Sequence, residues 1–113
     1  MPLVSIYTSN PVSNPSEILT DVTKLVAAEL GKPESITMAK LELQSHLAFG
    51  GSTSEPAALF EIEGIELSDE TALPLTEKLC RFAEDKLATP RNRVFVKLAS
   101  IPRGMWGGNG KVY

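Results

Sequence analysis

An internal repeat limits the folds open to this chain, and it appears when the sequence is compared with itself at an offset of 57 residues. Identical residues then coincide at several positions: Leu30, Pro33, Lys40 and Leu41 fall on Leu87, Pro90, Lys97 and Leu98. The apolar face of a predicted helix also recurs, because Ile18, Val22 and Leu25 fall on Leu75, Leu79 and Phe82. Duplication of one supersecondary unit explains both coincidences. We predict a single domain over residues 1–113, with a pseudo-repeat of roughly 1–56 and 57–113.

The first unit is predicted to be a strand, a helix and a second strand. Residues 3–7 are typical of a strand. Asn14 is a suitable helix cap, and Pro15 takes the first helical position, where its missing N–H has no cost. Gly31 is predicted to end the helix. Residues 36–43 are then expected to form the second strand.

The second unit repeats this plan, with strands over 57–62 and 94–100 and a helix that begins at Ser68 or Thr71. Between the units, Ala48–Ser52 lacks the lysine and the following helix of a phosphate-binding loop, so we interpret it as a tight turn. Two β-α-β units predict an α+β fold. Its four-stranded mixed sheet would carry both helices on one face.

The face of such a sheet that lies opposite the helices must also be shielded from water. A chain of 113 residues leaves no third helix for it and little room for a deep pocket. A second copy of the chain is the economical cover, so we expect a homo-oligomer, closed into a ring, with any active site at a subunit interface. The glycine-rich tail Gly104–Gly110, which carries Met105 and Trp106, is expected to pack onto a neighbour.

Composition argues against several classes of protein. The net charge of -3 argues against nucleic-acid and anionic-membrane binding, and no apolar run is long enough to span a membrane. A lone cysteine, Cys80, allows no internal disulfide and, without a secretory signal, predicts a cytoplasmic location. His46 is the only histidine and has no cysteine near it, so neither a metal site nor a cofactor is expected.

Pro2 and Lys32 are the candidates for chemistry. Removal of Met1 would expose a secondary amine at Pro2, and an α-amino group has a pKa near ~8 in model peptides. Burial and a nearby cation would lower that pKa and make the amine a general base at neutral pH. Lys32, directly after the first helix, could supply the cation and bind a substrate carboxylate. The alternative for Pro2 is that it merely follows an ordinary translation start. The alternative for Lys32 is that it interacts only with the helix dipole.

These features together resemble the macrophage migration inhibitory factor family of the tautomerase superfamily. The matching segments follow the family's order and spacing over nearly the whole chain: Met1-Pro2, Gly31-Lys32-Pro33, Leu47–Ser52, Ser54–Leu59 and Arg93-Val94-Phe95. The resemblance implies a homotrimer and keto–enol tautomerisation of phenylpyruvate-like α-keto acids. In that reaction Pro2 would be the base, and Lys32 would hold the substrate carboxylate.

The resemblance also implies further residues of the pocket. Ile65 matches a position whose backbone contributes to it. Phe95 and Lys97 match positions supplied by the adjacent subunit, so a monomer would lack a complete site. Met38 and Trp106 are expected to form apolar walls for a substrate ring.

The chain departs from the family pattern at three places. The mammalian cytokine has a tyrosine where this chain has Phe95 and an asparagine where it has Lys97, which would remove a hydroxyl from the pocket and add a cation. The Cys-x-x-Cys motif of the mammalian protein falls on Ala57 and Phe60. Thiol–disulfide oxidoreductase activity by that route is therefore not expected.

Two other functions remain open. A cytokine-like binding or signalling protein would keep the fold with a weak or vestigial active site, and the changes at Phe95 and Lys97 favour it. Family members can leave cells without a signal sequence, so non-classical release is compatible with this alternative. A purely structural trimer explains neither the pairing of Pro2 with Lys32 nor the matched motifs.

Overall fold

The computed structural model describes every residue from Met1 to Tyr113. Its main elements are β1 (Leu3–Thr8), α1 (Pro15–Leu30), β2 (Met38–Glu42), β3 (Ala58–Ile65), α2 (Ala72–Lys86) and β4 (Val94–Ile101). Two short strands follow, β5 (Gly107–Gly108) and β6 (Lys111–Val112). Single-turn 3₁₀ helices lie at Glu34–Ile36, Asp69–Thr71, Arg91–Arg93 and Arg103–Met105.

The four long strands form one sheet in the order β2-β1-β3-β4. β1 is parallel to β2, β3 is parallel to β4, and the central pair β1 and β3 is antiparallel. Each parallel pair belongs to one β-α-β unit, and the antiparallel pair joins the two units. The predicted α+β fold, with a mixed sheet and two helices on one face, is confirmed.

The sequence repeat is matched by a repeat of structural elements. α1 begins at Pro15 and α2 at Ala72, and the 3₁₀ turns at Glu34 and Arg91 are separated by the same 57 residues. Gly31 and Ala88 are related by this offset too, and both adopt left-handed backbone angles after a helix, with φ of 63° and 49°. The alanine holds a conformation that glycine adopts more easily, so the duplicated geometry outweighs a local preference.

The core lies between one face of the sheet and one stripe of each helix. Val4, Ile6, Phe60 and Ile62 point inward from the two central strands, where side chains alternate between the faces. The helices contribute the predicted apolar stripes, including Ile18, Val22, Leu75, Leu79 and Phe82. Burying one such large side chain contributes roughly 1.5–3 kcal/mol. The core therefore fixes both helices and the strand register.

The predicted strand boundaries need correction. β2 begins at Met38 and not at residue 36, because Ile36 ends the 3₁₀ turn that follows the first helix. β3 extends to Ile65, three residues beyond the prediction, and β4 to Ile101. The extra residues of β3 and β4 pair with each other, as Ile65 does with Ile101, so cross-strand partners lengthen both strands.

The predicted helix starts also need correction. The Asn14 side chain makes no capping bond to the backbone; its Nδ2 donates instead to Oε2 of Glu17 over 3.0 Å. α2 begins at Ala72, after the 3₁₀ turn, with Thr71 at its N-cap position, so the predicted start at Thr71 is within one residue and the start at Ser68 is wrong. The Thr71 hydroxyl donates to the Ser68 carbonyl over 2.7 Å, which stabilises that turn before the α-helix begins.

The face of the sheet opposite the helices is not covered within the chain. It carries a hydrogen bond from Lys40 to the Tyr7 hydroxyl (3.1 Å) and an ion pair between Lys97 and Glu61 (2.6 Å). Phe95 on the same face is 66% exposed. The tail folds as the β5–β6 hairpin, and its packing onto a neighbour stays a prediction. Neither helix has the length and apolar character needed to cross a membrane.

Candidate active site

Pro2 is buried beside the first residue of β2. The Met38 amide donates a hydrogen bond to the Pro2 carbonyl over 3.0 Å, which extends the pairing of β1 with β2 by one residue. An open pocket of about 460 Å³ lies at this position. Pro2, Met38 and Trp106 line it together, so the structure brings three of the predicted site residues into one cavity.

The tail hairpin forms the opposite wall of this pocket. Trp106 begins the wall, and Gly107, Gly108 and Tyr113 complete it. The Tyr113 amide donates to the Trp106 carbonyl over 3.0 Å, which holds the ends of the hairpin together. A methyl group on Gly108 would lie only 3.1 Å from the Tyr113 hydroxyl. The sequence analysis missed Tyr113, although an aromatic residue after a glycine-rich tail was a signal for such a wall.

The electrostatic environment of the amino end matches what a neutral amine requires. The pKa of the Met1 amino group is lowered, chiefly by burial and then by the positive charges of Lys32 and Arg103. Both effects disfavour a charged amine. Lys32 does not line the pocket, but its charge reaches the amino end from the loop after α1. Its amide donates to the Ala27 carbonyl over 2.9 Å, and this bond fixes the loop.

Arg103 is a second cation at this end of the sheet, and the sequence analysis did not identify it. Its Nη2 donates to a carboxylate oxygen of Glu66. The hydrogen bond and charge of Arg103, and more weakly the charge of Lys32, lower the pKa of Glu66. An arginine directly after the last long strand was the available signal. The sequence alone could not assign this arginine a role, because its partner Glu66 lies 37 residues away along the chain.

Ile65 lies near this pocket without lining it. It ends β3, pairs with Ile101 and is buried. Because β3 runs antiparallel to β1, and Glu63 pairs with Leu3, the end of β3 lies beside the start of the chain. Its backbone is therefore close to the amino end, and its side chain is buried outside the main hydrophobic core.

Phe95 and Lys97 do not meet Pro2 within one chain. Leu59 pairs with Phe95 on one side and with Tyr7 on the other, so Phe95 is level with the carboxyl end of β1. Pro2 precedes the amino end of that strand. The Lys97 ammonium is held by Glu61 on the uncovered face, and this carboxylate raises the pKa of Lys97. Both residues are exposed on the uncovered face and lie away from the pocket of their own chain.

Arg93 organises the loop beside Phe95. Arg93 is 6% exposed, and its guanidinium donates to four backbone carbonyls at 2.8–3.1 Å, those of Phe49, Ser52, Glu55 and Pro56. Within this loop, Phe49 and Ser52 exchange backbone hydrogen bonds of 3.0 Å across two glycines of positive φ. The tight turn predicted for this segment is therefore confirmed. The loop places the Phe49 ring 5.0 Å from that of Phe95.

No group of three or more His, Cys, Asp or Glu side chains in the structure could hold a metal ion. His46 is exposed on the loop after β2. Cys80 is half-buried in α2, and burial raises the pKa of its thiol. The titratable groups with a credible chemical role are thus those around the amino end.

A mixed sheet of two β-α-β units, with the start of the chain beside a pocket, is the tautomerase-type fold. Residues 1–113 match the family described as "Macrophage migration inhibitory factor (MIF)". The chain is 32% identical over 120 residues to the macrophage migration inhibitory factor homolog of Trichinella spiralis, with 100% of both proteins covered. The chain therefore belongs to the macrophage migration inhibitory factor family, within the tautomerase superfamily.

Solved structures agree with this assignment. The macrophage migration inhibitory factor homologue from Prochlorococcus marinus has a TM-score of 0.91 at 28% identity, over 97% of each chain. The macrophage migration inhibitory factor from Trichinella spiralis has a TM-score of 0.90 at 26% identity, over 98% of this chain and 99% of that one. Nearly the whole chain thus belongs to the shared fold.

Proposed function

We propose that this protein is a keto–enol tautomerase for phenylpyruvate-like α-keto acids, with the Pro2 amine as the general base once Met1 is removed. The observation that carries the proposal is the amino end itself. It lies at the pocket, where burial and two cations lower the pKa of an amine. The nitrogen of Pro2 is one residue further into the chain than the Met1 amine, and Pro2 is itself buried.

The proposed reaction moves one proton. The neutral Pro2 amine takes the proton from the carbon next to the carbonyl, and the electron pair of that C–H bond forms the C=C bond of an enolate. The enolate oxygen then takes a proton to give the enol, and the reverse sequence restores the ketone. Lys32 binds the carboxylate and orients the acidic carbon toward the amine. Met38, Trp106 and Tyr113 supply the wall against which an aromatic ring packs.

The complete site in this proposal belongs to a homotrimer. Phe95 and Lys97 lie on the uncovered face, away from their own pocket, which supports the proposal that they complete the site of an adjacent subunit. Arg93 keeps the Phe49 and Phe95 rings together on that face. A second copy would also cover apolar surface that one chain leaves exposed, including Phe95 and Met38.

The proposal is tested by measuring intact mass and tautomerase activity on the same sample. Chain that has lost Met1 should be active. Chain extended before Pro2, so that its nitrogen is an amide, should lose the contribution of a general base, roughly 10²–10⁴-fold. Pro2→Ala should abolish most of the activity. Full activity in a Pro2→Ala preparation of verified mass would contradict the proposal.

The alternative is a binding or signalling protein with a weak active site. Phe95 favours it, because this residue brings no hydroxyl to the pocket yet presents an aromatic ring that is 66% exposed. This alternative predicts a protein partner whose binding survives Pro2→Ala and is lost in Phe95→Ala. The tautomerase proposal predicts the larger loss from the Pro2 change.

A further inference from the structure

We propose that Arg103 is a substrate-binding residue that makes this pocket prefer α-keto acids with a second carboxylate. The inference rests on the proposed function, because Lys32 is taken to bind the carboxylate next to the carbonyl. Arg103 would bind the other one. The preferred substrates would be 2-oxo dicarboxylates, which carry two negative charges, and not 2-oxo acids with an aromatic ring.

Arg103 does not line the pocket, and the sheet register places it at the corner of the sheet where the chain begins. Ile65 and Ile101 are the last pair of β3 and β4, and Glu66 and Arg103 follow them closely. The residues before Leu3 run toward this corner, because Leu3 pairs with Glu63 in antiparallel fashion.

Arg103 is also joined to the pocket wall. It begins the 3₁₀ turn Arg103–Met105, and the Trp106 amide donates to its carbonyl over 3.3 Å. The guanidinium is thus attached to the base of the same hairpin that lines the cavity.

Arg103 has hydrogen-bonding capacity to spare. Only its Nη2 has an acceptor within the chain, the carboxylate of Glu66, and the side chain is 58% exposed. A guanidinium carries five N–H groups in a planar fork, which suits a carboxylate. Glu66 keeps the fork in place and leaves its other N–H groups free for a ligand.

Two cations therefore face the amino end from different elements. Lys32 approaches from the loop after α1 and Arg103 from the turn after β4, and the charges of both lower the pKa of the Met1 amine. Lys97, the extra cation suggested by the sequence, is already neutralised by Glu61 over 2.6 Å. The cation that distinguishes this pocket is Arg103, which the chain itself supplies.

The test compares oxaloacetate, with two carboxylates, and phenylpyruvate, with one, by the ratio of their kcat/KM values. Any change in the pKa of the base alters kcat/KM for both substrates alike, so the ratio reports only the recognition of the second carboxylate. Arg103→Gln should lower the ratio about 10-fold, the equivalent of one charged hydrogen bond, mainly through the KM for oxaloacetate. Glu66→Gln should raise the ratio, because the amide oxygen can still accept from Arg103 and keep the fork in place, while the negative charge that competes with the substrate carboxylate is removed.

The matched control is Arg91→Gln. Arg91 is an exposed arginine that is also held by a glutamate, Glu84, but it lies away from the pocket. This change should leave the ratio as it is in the unmodified protein. An unchanged ratio in Arg103→Gln, or a lower ratio in Glu66→Gln, would overturn the inference.

Calorimetric binding of oxaloacetate to chain with an acylated Pro2 nitrogen separates this inference from the proposed function. Such chain cannot use the amine as a base, yet its binding of the dianion should still weaken in Arg103→Gln. If the free enzyme turns over neither substrate but this binding depends on Arg103, the proposed function fails and the inference stands. If both substrates are turned over and Arg103→Gln changes neither binding nor the ratio, only the inference fails.

Discussion

The Met38 amide donates a hydrogen bond to the Pro2 carbonyl over 3.0 Å, so β2 fixes the residue that precedes β1. Pro2 has no amide hydrogen of its own and lies before the first strand residue. The hydrogen bond to its carbonyl nevertheless ties it to the sheet. The candidate base is thus held by the scaffold and does not belong to a free chain end.

Lys32→Gln should shift the acid limb of the activity–pH profile to higher pH. The charge of Lys32 lowers the pKa of an amine at this position, so its removal lets that pKa rise and increases the protonated fraction near neutral pH. KM for α-keto acids should rise as well. The measurement is kcat/KM against pH, with Lys24→Gln as the control, because Lys24 is an exposed lysine on α1. An acid limb that does not shift would show that the charge of Lys32 does not affect the pKa of the amine.

Arg93→Met should lower the free energy of unfolding by about 2–4 kcal/mol, because it leaves four partly buried carbonyls without their donor. Urea denaturation measures this change. Arg91→Met is the control, since Arg91 contacts only an exposed carboxylate and its loss should have little effect. Equal destabilisation by the two changes would show that the Arg93 hydrogen bonds do not stabilise the loop.

Subunit mixing tests the proposed interface site. Pro2→Ala and Phe95→Ala subunits should each form trimers of reduced activity, with a mass of three 12.2 kDa chains. In mixed trimers, some sites combine an intact Pro2 from one subunit with an intact Phe95 from the next. Activity should therefore rise on mixing, as measured after dissociation and reassembly. A simple average of the two activities would place both residues in the same subunit's site.

Cys80 should react slowly with iodoacetamide near neutral pH. Burial raises the pKa of its thiol, so less of the reactive thiolate is present than in the unfolded chain. Labelling followed by mass spectrometry should show several-fold faster modification in denaturant than in buffer. Equal rates would mean that α2 opens readily around this residue.

The sequence predicted most of the fold, for identifiable reasons. The apolar stripes, together with Gly31 and the repeat at an offset of 57 residues, predicted two β-α-β units, because periodicity reports which side of an element is buried. Element ends were predicted less well. Ile36 was assigned to a strand but lies in a 3₁₀ turn, and the ends of β3 and β4 depend on partners such as Ile65 and Ile101. A local pattern contains no information about those partners.

For the site, the sequence by itself predicted Pro2 and Lys32, because their chemistry is a local property, and the resemblance to the family predicted the apolar residues Met38 and Trp106. Only the tertiary structure decided what surrounds the amino end. Tyr113 lines the pocket because the tail hairpin returns to the start of β1, and Arg103 lies near the amino end because β4 ends at the edge of the sheet where β1 begins. Lys97 is neutralised because Glu61 lies opposite it. Electrostatic effects depend on distance in space, and the folded sheet sets those distances.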